Sequence, residues 1–104
     1  MIFHIAVCSP GPVLRGRVQR HCMEYYARRA DACIVEQLPG VDALLARDAE
    51  GIRYELYLVE LTAGNAPAGL KAADTLRRHG ARAPLAFFAH TPAHAYSAYR
   101  VDAM

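Results

Sequence analysis

Apolar residues follow two rhythms along this chain. At 2–8, Ile-Phe-His-Ile-Ala-Val-Cys is apolar at successive positions, His4 apart. A strand dry on both faces reads this way, so the run predicts a central parallel strand covered by helices on both sides. Ser9-Pro10-Gly11-Pro12 ends it, and Pro12 suits the first turn of a helix, where its missing N–H costs nothing. From about 12 to 29 the spacing becomes helical. Leu14, Val18, Cys22 and Tyr25 form an apolar stripe, with Arg15, Arg17, Arg20, Glu24 and Arg28 largely off it.

The alternation continues. Residues 32–38 (Ala-Cys-Ile-Val-Glu-Gln-Leu) predict a second strand, turned by Pro39-Gly40. A short helix over about 41–48 carries Val41, Leu44 and Leu45, with Asp42 near its positive N-terminal end, and Gly51 closes the unit. Residues 54–61 (Tyr-Glu-Leu-Tyr-Leu-Val-Glu-Leu) are rich in β-formers and predict a third strand. A Gly-, Ala- and Pro-rich loop at 62–68 leads to a helix opened by Gly69. It carries Leu70, Ala73, Leu76 and Arg77 and stops at His79-Gly80. Residues 84–89 predict a fourth strand, and 93–103 a last helix with Tyr96, Tyr99 and Ala103 on one stripe. Four β-α units of roughly 25 residues define an α/β, flavodoxin-like, doubly wound parallel sheet with right-handed crossovers.

Composition narrows the setting. The 104 residues make one domain, 1–104, and no apolar run approaches the ~20 residues that span a bilayer. The apolar start has no basic segment before it and is followed by a turn, so it is read as a strand and not as a signal peptide. Hydrophobic residues make up 54% of the chain, but 20 are alanines, so that figure overstates the core. A net charge of +2, with 11 Arg and one Lys, is too small to imply nucleic-acid binding by this segment. Cys8, Cys22 and Cys33 are odd in number and lack CxxC spacing, which argues against a disulfide framework or a zinc site and fits a reducing, cytoplasmic setting.

Ile5-Ala-Val-Cys8 followed by Pro12, Tyr54–Leu61, and Pro84-Leu-Ala-Phe-Phe-Ala-His-Thr-Pro92 with Ala95-Tyr96 and Ala98-Tyr99 together resemble response-regulator receiver domains, especially those joined to LytTR-type DNA-binding domains. The resemblance runs through the whole chain in order and spacing. It implies a fifth strand and helix, so the chain is expected to be a receiver-like domain cut short at its C-terminal end, with any DNA contact made by a domain beyond residue 104. The departures fall on the chemical positions. Ser9 and Pro10 stand where the family has acidic residues that hold magnesium, Glu60 at the phospho-acceptor, and Ala89 at the hydroxyl position that senses the phosphoryl group. The family's lysine lies past the end of the chain.

Phosphoryl transfer depends on positioning and charge neutralisation. Magnesium needs hard oxygen ligands, and Pro10 offers neither a side-chain ligand nor an N–H. The resemblance therefore implies a degenerate receiver, not an enzyme and with no cofactor, that acts in signal transduction and transcription regulation through a protein partner or a homodimer and has no membrane association. Glu60 is read either as a built-in mimic of a phosphorylated residue or as a carboxylate at a strand end in water. The Tyr96/Tyr99 stripe is read as an interface or as core. An exposed sheet edge predicts pairing at the fourth strand or last helix.

Other chemistry is thinner. His90 and His94 have the i, i+4 spacing of metal ligands, but Pro92 between them favours solvated loop residues. Cys8, at the C-terminal end of a strand, is read as core in preference to a nucleophile based on His90. Gly64-Asn65-Ala66-Pro67-Ala68-Gly69 lacks the order of a phosphate-binding loop. The competing functional class is a small nucleotide-binding protein or enzyme on the same fold, with its site around Ser9, Glu60 and His90.

Overall fold

A computed structural model describes residues 2–61 and 66–89. The elements run β1 (Ile2–Cys8), α1 (Pro12–Ala27), β2 (Ala32–Leu38), α2 (Val41–Ala49), β3 (Leu56–Leu61), α3 (Ala66–Arg78) and β4 (Leu85–Ala89). The strands form one parallel sheet in the order β2-β1-β3-β4. This is the flavodoxin-like α/β arrangement. The order reverses between β1 and β3, which leaves a crevice at the strands' carboxyl ends. The stretch assigned to the last helix, 93–103, lies outside the described residues.

Strand alternation sorts the side chains between two layers. Ala6, Cys8, Leu38, Tyr57, Val59 and Leu85 face Leu44 of α2 and Ala73 and Leu76 of α3 in the main core. Burying each large member, such as Tyr57 or Leu76, contributes roughly 1.5–3 kcal/mol. The opposite face carries α1. There Phe3 stacks on Tyr26 with ring centroids 4.7 Å apart, and Gln37 of β2 meets Gln19 and Arg15.

Several boundaries shift from the sequence reading, each for a local reason. Tyr25 is half exposed, and Tyr26 takes the inward place assigned to it because Phe3 offers a ring to stack on. Helix α1 closes through Ala30 in the left-handed region (φ 60°), where its N–H donates to Ala27 O. Tyr54 and Glu55 precede β3 and do not join its ladder. The Tyr54 N–H donates to the Tyr57 hydroxyl, and the Glu55 N–H to His4 O. Helix α3 begins at Ala66, so Gly69 sits inside it and does not open it. Gly69 is placed there by contact: a Cβ on it would stand 2.6 Å from Leu61 Cδ2, so α3 can lie this close to β3 only without one.

Candidate functional site

The crevice is built by register. Cys8 pairs with Val59, so the next residues, Ser9 and Glu60, come side by side at the carboxyl ends of β1 and β3. The Ser9 hydroxyl donates to Glu60 Oε1 at 2.5 Å, at the short end expected when a hydroxyl meets a carboxylate. Both are buried, Ser9 fully and Glu60 with 4% exposure. Ser9 is fixed from every side. Its N–H donates to Leu38 O at 3.0 Å, its carbonyl accepts from Arg15 Nη1 at 2.7 Å, and its hydroxyl oxygen accepts from the Gly11 N–H at 3.2 Å. One residue thus ties β1, β2, β3 and the start of α1 together.

This corrects the reading of Glu60 as a strand-end carboxylate in water. It is enclosed because the position lies in the interior between β1 and α1, with Ser9 as a built-in donor. Pro10 is exposed and, with Gly11, Val13, Leu14, Arg17 and Glu60, lines a hollow of about 520 Å³ outside the pair. Ala89 is the last residue of β4 and pairs with Leu61, one step past the register of Glu60 with Phe88. The sequence reading therefore placed Ser9, Pro10 and Glu60 at one end of the sheet, and they do meet there. His90, His94, Tyr96 and Tyr99 lie outside the described residues, as does 62–65. The rest of the proposed β–α loop, 66–69, is the first turn of α3.

Cys8 points the other way from Ser9, into the core under α2 and α3. Burial pushes its thiol up to about 11, against a smaller downward pull from Arg15. A thiol held protonated in the core makes a poor nucleophile. Burial also raises Cys22, with Cys33 adding to the effect. Among the described residues no three His, Cys, Asp or Glu side chains come together to hold a metal, and no helix is long and apolar enough to cross a membrane.

Two polar clusters escaped the sequence reading. At the far pole, where β3 and β4 begin, Asp48 of α2 accepts from Arg53 Nη1 at 2.6 Å and sits 2.5 Å from His79 Nδ1. Arg53 also donates to His79 O at 3.0 Å, which closes a ring of three residues. The available signal was an acid on the apolar stripe of α2, at Val41, Leu44, Asp48. Over β2, Glu36 accepts from Arg47 Nε at 2.9 Å and from the Tyr54 hydroxyl. The Arg47 bond, then the Tyr54 bond, hold the Glu36 carboxyl below the usual carboxylate range. Burial, then Glu36, raise the Tyr54 phenol.

The chain matches no known protein family and no curated protein. Among solved structures it is similar to a fusion of the trimeric coiled coil of yeast Spc42, amino acids 181–211, to another protein of solved structure. That match has a TM-score of 0.76 and 17% identity, and covers 96% of this chain and 64% of the fusion. The chain thus spans just under two thirds of the length of the structure it matches. At this identity the likeness bears on the fold alone.

Proposed function

We propose that this chain is a degenerate receiver domain, a signalling module of a transcription regulator that works through protein–protein contact without aspartyl phosphorylation. The observation that carries this reading is the buried hydrogen bond from Ser9 to Glu60. A phosphorylatable site of this fold needs an exposed acceptor carboxylate with further acidic groups around a magnesium ion. Here the carboxylate at the end of β3 is spent on a neighbouring hydroxyl, and the next residue, Pro10, brings no ligand. The Ser9–Glu60 bond is an internal cross-link where the chemistry would otherwise run.

The test is incubation with acetyl phosphate and Mg²⁺, read by intact mass. No mass gain is expected, and stoichiometric labelling at Glu60 would overturn the reading. The rival class, a nucleotide- or flavin-binding protein, is favoured only by the hollow beside Pro10 and Arg17. A phosphate there would approach the Glu60 carboxyl, which is unfavourable. Calorimetry with ATP and FMN distinguishes the two: no heat of binding supports the signalling module, and tight binding supports the rival.

A further inference from the structure

Among the described residues strand β2 is an edge of the sheet, and its hydrogen-bonding direction can be read from one contact. The Ser9 N–H donates to Leu38 O, so the peptide groups of Leu38 face β1. Both peptide groups of a strand residue point to the same side, and the side alternates along the strand. Ala32, Ile34 and Glu36 therefore bond inward with Leu38. Cys33, Val35 and Gln37 turn their N–H and C=O groups outward, away from β1.

Natural edges are guarded by lysines, prolines, bulges or inward-pointing charges. Strand β2 has none of these in working position. Its pairing with β1 is unbroken from Ala32 to Leu38, so no bulge twists it away. Its sequence, Ala-Cys-Ile-Val-Glu-Gln-Leu, contains no proline or lysine. The charged residue, Glu36, is drawn over the sheet face by Arg47 and Tyr54 and does not stand at the rim. Gln37 is likewise turned onto Gln19 and Arg15 of α1. Beside these, Ile34, on the same face as Leu38, is 55% exposed.

We infer that β2 pairs antiparallel with β2 of a second copy about a twofold axis at Val35, joining two four-stranded sheets into one of eight. This arrangement is self-complementary residue by residue. It sets outward-bonding residues against each other, Val35 opposite Val35 and Cys33 opposite Gln37, so each N–H meets a C=O. On the α2 face it sets Ile34 opposite Glu36 and diagonally across the axis from its own counterpart, at the ~7–8 Å reached by large side chains in adjacent strands. The exposed isoleucine of each copy thus gains its apolar neighbour from the other, and the twofold brings the two isoleucines together at one point, which makes the second copy the occupant. The inference is independent of whether the crevice at Ser9 is a degenerate receiver site.

The geometry supplies its own test. Opposed residues of a hydrogen-bonded antiparallel pair have Cα atoms about 5.5 Å apart, within disulfide range. Val35→Cys, in a Cys22→Ser, Cys33→Ser background, is expected to give a covalent dimer on mild oxidation and non-reducing electrophoresis. Sedimentation of the unaltered chain is expected to show a dimer. Ile34→Arg, and separately Val35→Pro, which removes an N–H that the isolated sheet does not use, are each expected to give a monomer with an unchanged circular dichroism spectrum. A monomer at the highest soluble concentration, a dimer that survives both substitutions, or a dimer that the Val35→Cys variant fails to cross-link would overturn the inference. If Val35→Pro unfolds the chain, Ile34→Arg alone decides.

Discussion

The Ser9 hydroxyl and the Glu60 carboxyl meet at 2.5 Å across the ends of two adjacent parallel strands, and both residues are buried. A buried polar group that loses its partner costs more than the bond was worth. Ser9→Ala is therefore expected to lower unfolding stability by about 1–3 kcal/mol, because the enclosed carboxyl of Glu60 loses a donor. Ser9→Asp places two carboxylates in contact and is expected to cost more than Ser9→Ala. Urea unfolding of the two variants measures both. A smaller loss for Ser9→Asp than for Ser9→Ala would show that charge repulsion is not the cause.

Removing the two charges of the far-pole ring has unequal effects. Asp48 has a side-chain exposure of 2%, against 39% for Arg53. Arg53→Ala leaves a buried carboxylate with His79 as its remaining side-chain partner, whereas Asp48→Ala leaves a guanidinium that water can reach. The expected losses are about 2–3 kcal/mol for Arg53→Ala and about 1–2 kcal/mol for Asp48→Ala. Chemical denaturation of the two variants and their double mutant gives the order and the coupling; a larger loss for Asp48→Ala would refute it.

Gly69→Ala sets helix propensity against space. An alanine in the interior of α3 gains up to about 1 kcal/mol, but its Cβ would overlap Leu61 Cδ2. Leu61 is fully buried, so its side chain has little room to turn. A net loss of about 1 kcal/mol or more is expected. Leu61→Ala combined with Gly69→Ala is expected to cost less than the sum of the two single changes, which a thermal-melt double-mutant cycle reads directly.

The pH dependence follows from the shifted groups. Cys8 rises from its ordinary 9.0 to about 11 in the fold, and Tyr54 is raised as well. Each keeps its proton in the folded chain at a pH where the unfolded chain has released it. Their contribution is complete below the ordinary thiol value of 9.0 and is lost as pH climbs through the folded values. Glu36 is lowered, so its contribution is complete above about pH 4.3 and is lost as pH falls through its folded value. Melting temperature against pH should fall at both ends, with the alkaline limb flattened in Cys8→Ala. In native protein at pH 8, Cys8 should react with iodoacetamide more slowly than Cys22 or Cys33.

The layer architecture was legible because it depends on periodicity, which residues 2–8, 32–38 and 84–89 state openly. The meeting of Ser9 with Glu60 was legible only as shared membership of the carboxyl end of the sheet. Its burial was not, because a strand-end Glu looks the same in sequence whether water or a hydroxyl faces it. Register decides, and register is a pairing of distant segments. The Asp48–Arg53–His79 ring was hidden for the same reason: its members come from α2, the loop before β3, and the end of α3. Gly69 was misread as a helix opener because glycine signals a boundary and a close approach with the same letter.

The four-way fixing of Ser9 also has a consequence for descent. A carboxylate that enters position 9 on its own meets the carboxylate of Glu60 and is disfavoured. Glu60 cannot readily leave on its own, since it would abandon a hydroxyl sealed in the interior. In drifting sequences the two sites should behave as one inherited character, changing together or not at all.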